Sequence, residues 1–479
     1  MIVNKSMYPV TSTLQTITSM QKQFENLQLQ LATGNRYNTL AEMGSDRVHT
    51  LNLEARLSRI EGYQANILTV ENRMSFYTNG LERLDEIEAD ARALAVPGAY
   101  GTDGINFTNV RNQSTNLLKE VIDVLNTDIT GQYIFGGNKS DTKPVASFDE
   151  IMNGPNGFVA YSQNRNAEDM GNGGRIDRTV TGTALTLTED GAHDYGFKLD
   201  SVASTGAGIS VSEATLTGGE QQVSISVDAQ PQPGDTVTIG ITHPHDRDTV
   251  HYVTFTATDT TPLPEGGFSI GADAEETAAN LHAAIGDKLG TLTETDLRSS
   301  STYAAADDFF NATGEPQDPA ATAWYRGQDS TNPRQTVSAN VDEHTKAHYG
   351  VQANEAGFVE LIKGLAVFAV SELSPLDETN AARYDALVEI ERSRLSEDNN
   401  AQTGSIEAIT MELGLAASTV NTVKERHTQY NAQLETMLAD ITVAPREEVA
   451  MMLLTLQTQL QASYQATAMA SQLTLVNYL

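Results

Sequence analysis

Hydrophobic positions recur along this chain at two different periods, and the change of period divides it into three stretches. Val10, Leu14, Ile17, Phe24 and Leu31 fall on one heptad seam, with Gln21 and Gln28 at its other two positions. This predicts an amphipathic helix that ends at Gly34-Asn35-Arg36. A second helix is predicted from about 45 to 94, its seam traced by Leu53, Leu57, Ile60, Ile67, Met74 and Leu81. Val96-Pro97-Gly98 ends it, and a third helix follows from about 106 to 130, before Gly131.

The far end of the chain repeats the pattern. Ile406, Ile409, Leu413, Ala416, Val420, Val423, His427, Tyr430, Leu434, Met437 and Ile441 alternate spacings of three and four without a miss. So sustained a repeat predicts a coiled-coil-like packing surface, with His427 as a polar residue setting register. Shorter helical patterns precede it at about 353–373 and 376–396. After Pro445, Leu453, Leu456 and Leu460 share the face of a last helix.

Between these halves the period drops to two. Runs such as Gln222–Asp228, Thr236–Ile241 and Val250–Ala257 read as strands bounded by Gly, Pro, Asp and Asn turns, with one helix at about 274–289. The expected fold class is α+β: a long helical rod formed by paired N- and C-terminal segments, with a β-rich domain inserted in the middle. The expected domains are nested. Residues 1–43 and 445–479 form inner terminal helices, 44–150 and 345–442 the rod, and 151–344 an outer β-rich domain.

Charge sharpens this picture. The 479 residues carry 63 Asp and Glu against 30 Lys and Arg, a formal net charge of −33. That balance repels phosphate backbones and argues against nucleic acid. Yet Ser6 to Gln21 and Val449 to Leu479 contain no charged residue and no histidine. A soluble surface is normally covered with charge, so two uncharged amphipathic ends predict burial against protein. They could dock on each other within one chain; association between copies is the favoured expectation, through Leu14, Ile17, Phe24, Leu453, Leu456 and Leu460. Membrane insertion is not expected, because Gln457, Gln459, Gln461 and Gln465 would sit in hydrocarbon.

Candidate chemistry is sparse. The absence of cysteine excludes disulfides, thiolate metal sites and a Cys nucleophile. His243, His245 and His251, with Asp246 and Asp248 between them, are ligand types suited to zinc or nickel. Their flanking strands place them at a hairpin tip, expected to be an exposed polar turn without walls to exclude water. Gly267-Phe-Ser-Ile-Gly271 matches the nucleophile elbow by letters, but Pro264-Glu-Gly-Gly stands where the elbow needs a strand. Trp324, the sole tryptophan, is expected to anchor the return from sheet to rod. The expectation is therefore a non-enzymatic protein with no catalytic, cofactor or metal residues; a metal-dependent surface enzyme on the middle domain is the remote alternative. The first residues have no apolar core of signal-peptide length, so export by the general secretory route is not expected.

Leu31-Ala-Thr-Gly-Asn-Arg36, between an uncharged amphipathic helix and a long one, resembles the join between inner and outer rod in the bacterial flagellin family. Gly131-Gln-Tyr-Ile-Phe-Gly-Gly-Asn-Lys-Ser-Asp-Thr-Lys-Pro-Val145, Trp324-Tyr-Arg-Gly327, His348-Tyr-Gly-Val-Gln-Ala-Asn-Glu355 and Ser471-Gln-Leu-Thr-Leu-Val-Asn-Tyr-Leu479 are similar to its hook–filament junction members. The resemblance covers about 1–145 and 324–479. It implies a structural protein of the extracellular flagellum, a ring of copies between hook and filament. Its implied partners are a neighbouring hook-associated protein, flagellin and a cytoplasmic export chaperone, with type III export. Flagellin itself, the main filament subunit, is the alternative reading.

Overall fold

The structure, a computed structural model, describes residues 8–98, 106–311, 313 and 321–476, with side chains from 12 to 469 within those ranges. Val10, on the first seam, and the segment 477–479 lie outside what is described at side-chain level. The described residues divide into two units, one drawn from 1–70, 339–346 and 418–479, the other from 71–338 and 347–417.

The first unit contains helix α1 (Tyr8–Thr33) and the first half of α2 (Asp46–Leu94). Gly34 ends α1 in the left-handed region at φ 76°, a conformation that glycine adopts without steric cost. The chain then pairs with the far terminus. The Arg36 amide donates to Thr442 O at 2.7 Å, and the Ala444 amide to Gly34 O at 2.8 Å. Leu53 and Ile60 of α2 meet Leu434 from the second half of α9 (Ile406–Thr442), with Leu57, Leu438 and Ile441 around them. His427, 4% exposed, sits in this seam as expected of a register residue; its Nε2 bonds Val341 O at 2.9 Å and its ring stacks on Tyr63. α10 (Arg446–Val476) closes the unit by packing along α1.

The second unit combines helices and sheets. α3 (Phe107–Leu125) starts at Asn106, whose side chain accepts the amides of Thr108 and Asn109. It stops five residues short of the expected Thr130. The reason is a hairpin of β1 (Asp128–Ile129) and β2 (Gln132–Tyr133), in which Asp128 Oδ2 accepts the Gly131 amide. α4 (Phe158–Met170) leads into β3 (Ile176–Thr181), β4 (Ala184–Glu189), β5 (Lys198–Ser204), β6 (Ile209–Thr215), β7 (Gln221–Val227), β8 (Thr236–His243), β9 (Asp246–Thr258) and β10 (Gly267–Ser269). These form two four-stranded sheets, ordered β3-β4-β7-β6 and β10-β9-β8-β5, antiparallel except for β9 with β10.

α5 (Ala274–Leu292) covers both sheets. Its Leu281, Ile285 and Leu289 share one core with Leu185, Leu187, Val223, Ile225, Ile239 and Phe255. A π-helical turn, Thr293–Leu297, continues into α6 (Arg298–Phe309). The middle of the chain thus holds three helices where the sequence pattern shows one. α4 and α6 are rich in Ser, Asn and Asp, which weakens the apolar 3.6 period on which helix recognition depends.

A last hairpin, β11 (Ser338–Asn340) with β12 (Lys346–His348), precedes α7 (Ala356–Val370) and α8 (Glu378–Arg394). Glu360 and Lys363 apart, α7 is apolar around its surface, and eleven of its residues are buried, the pattern of a central helix. The inserted segment opens and closes at one place: Val145 pairs with Tyr325, the Ala146 amide donates to Trp324 O, and the Arg326 amide to Pro144 O. Trp324 is wholly buried there and donates its Nε1–H to Asn311 O at 3.0 Å.

Candidate assembly interface

Six positions near the termini are the candidates for association, and the pairing of α1 with α10 sorts them. Ile17, Leu456 and Leu460 are buried, with exposures of 6 to 8%; Phe24 and Leu453 are half-buried; Leu14 is exposed. Leu31 of the same heptad seam is also exposed. The seam read along α1 is therefore only partly the line of contact with α10. One partner helix covers one side, and a heptad seam on a nearly straight helix drifts around it.

The pairing leaves a large apolar surface facing water. On α10, Met451, Met452, Leu454, Tyr464 and Met469 are exposed, and Leu14 and Leu29 are exposed on α1. Between the helices runs a shallow groove floored by Leu27 and Leu456 and rimmed by Gln23, Met451, Thr455 and Gln459. No charged side chain of α10 follows Glu448, so van der Waals contact and burial are the only large terms this surface offers. Unbranched Met side chains tolerate imperfect fit at such surfaces.

The histidine cluster differs from its expectation. The β8–β9 tip is packed against α6, not open to water. A register shift between Ile241 and His243 turns the His243 ring inward, where it is 5% exposed, edge-on to Phe197 and 4.2 Å from the His251 ring by centroids. Both His243 ring nitrogens lack a hydrogen-bond partner. Burial first, then the neighbouring His251, pushes its pKa down to about 3. His245 turns away to bond Ser300 Oγ at 2.7 Å, and burial lowers its pKa to about 4. The buried Ser299–Thr302 run of α6 makes this polar bed, a contact that local sequence spacing does not reveal.

Among the described residues no group of three His, Cys, Asp or Glu is placed to hold a metal ion. Ser269 ends β10, and its carbonyl accepts Asn280 Nδ2; the strand edge here is not a nucleophile elbow. Among the described residues no helix is long and apolar enough to cross a membrane.

Comparison with known proteins bears on the helical part. Residues 4–140 match the bacterial flagellin N-terminal helical region. No curated protein matches the chain. A crystal structure of flagellar hook-associated protein 3 from Legionella pneumophila aligns with 81% of this chain and 98% of its own, at 12% identity and a TM-score of 0.27. So loose a superposition bears no weight for the fold. The matched segment spans α1, α2, α3 and the β1–β2 hairpin, with Leu31–Arg36 and most of the Gly131–Val145 stretch; the likeness read at 324–327, 348–355 and 471–479 lies outside it. Residues 4–140 are thus similar to the N-terminal helical region of bacterial flagellins.

Proposed function

We propose that this protein is a structural component of the flagellum that joins hook to filament, in the manner of a hook-associated protein 3. The observation that carries the reading is the flagellin-type N-terminal region paired with a C-terminal helix that has no charge beyond Glu448. Copies associate by burying the exposed faces of α1 and α10 against neighbours, with Leu14 and Leu454 outermost. Ile17, Leu456 and Leu460 hold the pair within each copy, and Phe24 and Leu453 lie at its edge. Before assembly a cytoplasmic export chaperone shields the same C-terminal face, and the subunit leaves by the type III route.

Immunogold electron microscopy of intact flagella, with antibody raised against residues 180–320, tests this assignment. Label in one band at the hook–filament junction supports it. Label along the whole filament makes the protein a flagellin, and absence of label removes it from the flagellum.

A further inference from the structure

Glu391 of α8 is 1% exposed, and no hydrogen-bond donor reaches its Oε1. That oxygen lies on the backbone of α7 at Gly364, where a methyl group would overlap it. The other oxygen, Oε2, stands 2.8 Å from the Tyr303 hydroxyl of α6, and the same hydroxyl stands 3.3 Å from Leu387 O. One phenolic proton cannot serve two acceptors. If Glu391 carries a proton, its O–H donates to Tyr303 and Tyr303 donates to Leu387 O, so both short contacts are hydrogen bonds at once.

The surrounding charges lead to the same protonation state. On α6 and α8, Asp307 takes both Arg394 guanidinium nitrogens at 2.6 Å, and Arg394 lies over the Tyr303 ring. On α7, Lys363 bonds Asp307 at 2.9 Å and Glu360 at 2.7 Å, and Glu360 also takes Arg394 at 3.2 Å. From α2, Glu88 faces the cluster with Arg92 at 3.4 Å, and Glu407 of α9 faces Glu88. Lys363 and Arg394 thus pair with Asp307 and Glu360, and Glu391 makes no direct ion pair. A buried carboxylate without a counter-charge takes up a proton.

We propose that Glu391 is a proton-operated latch between α8, α6 and α7, holding their seam while protonated and loosening it when the proton passes to solvent. Ionisation breaks the Glu391–Tyr303–Leu387 chain and leaves a charge against the Gly364 backbone. Burial, opposed by the Tyr303 bond and Arg394, pushes the Glu391 pKa up to about 7. A pKa raised on folding gives stability that is complete below the ordinary carboxylate range and is lost as pH rises through the folded value. The latch is therefore closed in mild acid and opens above neutrality.

The test is thermal unfolding of the full chain at about pH 5.5 and about pH 8.5, with Glu391→Gln and Glu88→Gln. The amide of Gln donates to Tyr303 at either pH. Burial raises the Glu88 pKa to about 7 as well, so the wild-type midpoint falls by about 2–4 °C on going to the higher pH, Glu391→Gln and Glu88→Gln each keep only part of that fall, and the double variant keeps least. An equal fall in Glu391→Gln and wild type overturns the proposal. If Glu391→Gln does not fold, carboxyl NMR of 13C-Glu-labelled Glu88→Gln decides. Because burial raises the Glu355 pKa as well, a glutamate that titrates near neutrality and shifts on Tyr303→Phe upholds the latch, and the lack of one overturns it.

Discussion

Gln21 Nε2 donates to the Tyr464 hydroxyl at 2.7 Å, joining residues 443 positions apart in the chain. Both side chains are exposed, so the bond adds little stability, but it lies between the faces of α1 and α10 that meet. In this pairing, Ile17, Leu456 and Leu460 turn inward, and Leu14 and Leu454 outward. The pairing separates residues buried between α1 and α10 from residues left exposed.

Leu456→Asp and Leu454→Asp therefore have different effects. Leu456→Asp places a charge in the α1–α10 contact and abolishes both helicity of the termini and association, with the second unit still folded. Leu454→Asp changes a side chain that is 63% exposed, leaves far-ultraviolet helicity intact and abolishes association alone. Sedimentation and circular dichroism of the two variants separate them; association of Leu454→Asp at the wild-type level counts against the outer face.

Gly364→Ala drives a methyl group into the Glu391 carboxyl. Overpacking of this kind costs about 1–3 kcal/mol, and α7 is too enclosed to move aside. The urea midpoint of the variant falls accordingly, and it partly recovers in Gly364→Ala with Glu391→Ala, which empties the space the methyl enters.

His243 makes the β-rich region sensitive to acid. Its folded pKa of about 3 lies below the ordinary value of 6.5, so the unfolded chain binds the extra proton. Stability from this group is complete above about 6.5 and is lost as pH falls towards 3, roughly 5 kcal/mol over the full range. His243→Phe, packed against Phe197, removes this part of the slope. Urea unfolding at pH 7 and about pH 4 gives a smaller loss for the variant than for wild type; equal losses would mean that His243 is not the sensor.

Gly34→Ala forces an alanine into the left-handed region at φ 76°, which costs about 1–2 kcal/mol. The strain falls where Arg36 and Ala444 bond across the two ends of the chain. Thermal unfolding followed at the terminal helices shows the loss, and no such loss follows Gly290→Ala, which meets open space at a negative φ.

Where a long periodic pattern existed, the fold was legible in the sequence. The seam from Ile406 to Ile441 reads as one helix and is one helix, and Leu53, Ile60 and Leu434 meet in its packing. What was not legible depends on partners distant in sequence. Nothing near His243 signals that Ser300 and Phe197 will cover the β8–β9 tip. Leu14 and Ile17 lie on the same heptad seam, yet only the position of α10 decides that one is buried and the other is not. Nothing next to Glu391 in the sequence signals that α6 and α7 will bury it.

The pairing of Val145 with Tyr325 places the two ends of the inserted segment side by side, as close as neighbouring strands, about 5 Å. A cassette bounded this way can be exchanged for another of different length or fold without stretching the helices that receive it, because closing a loop costs little more as it lengthens. The inserted segment can thus change in sequence, length or fold while the residues on either side of the Val145–Tyr325 bridge keep their places.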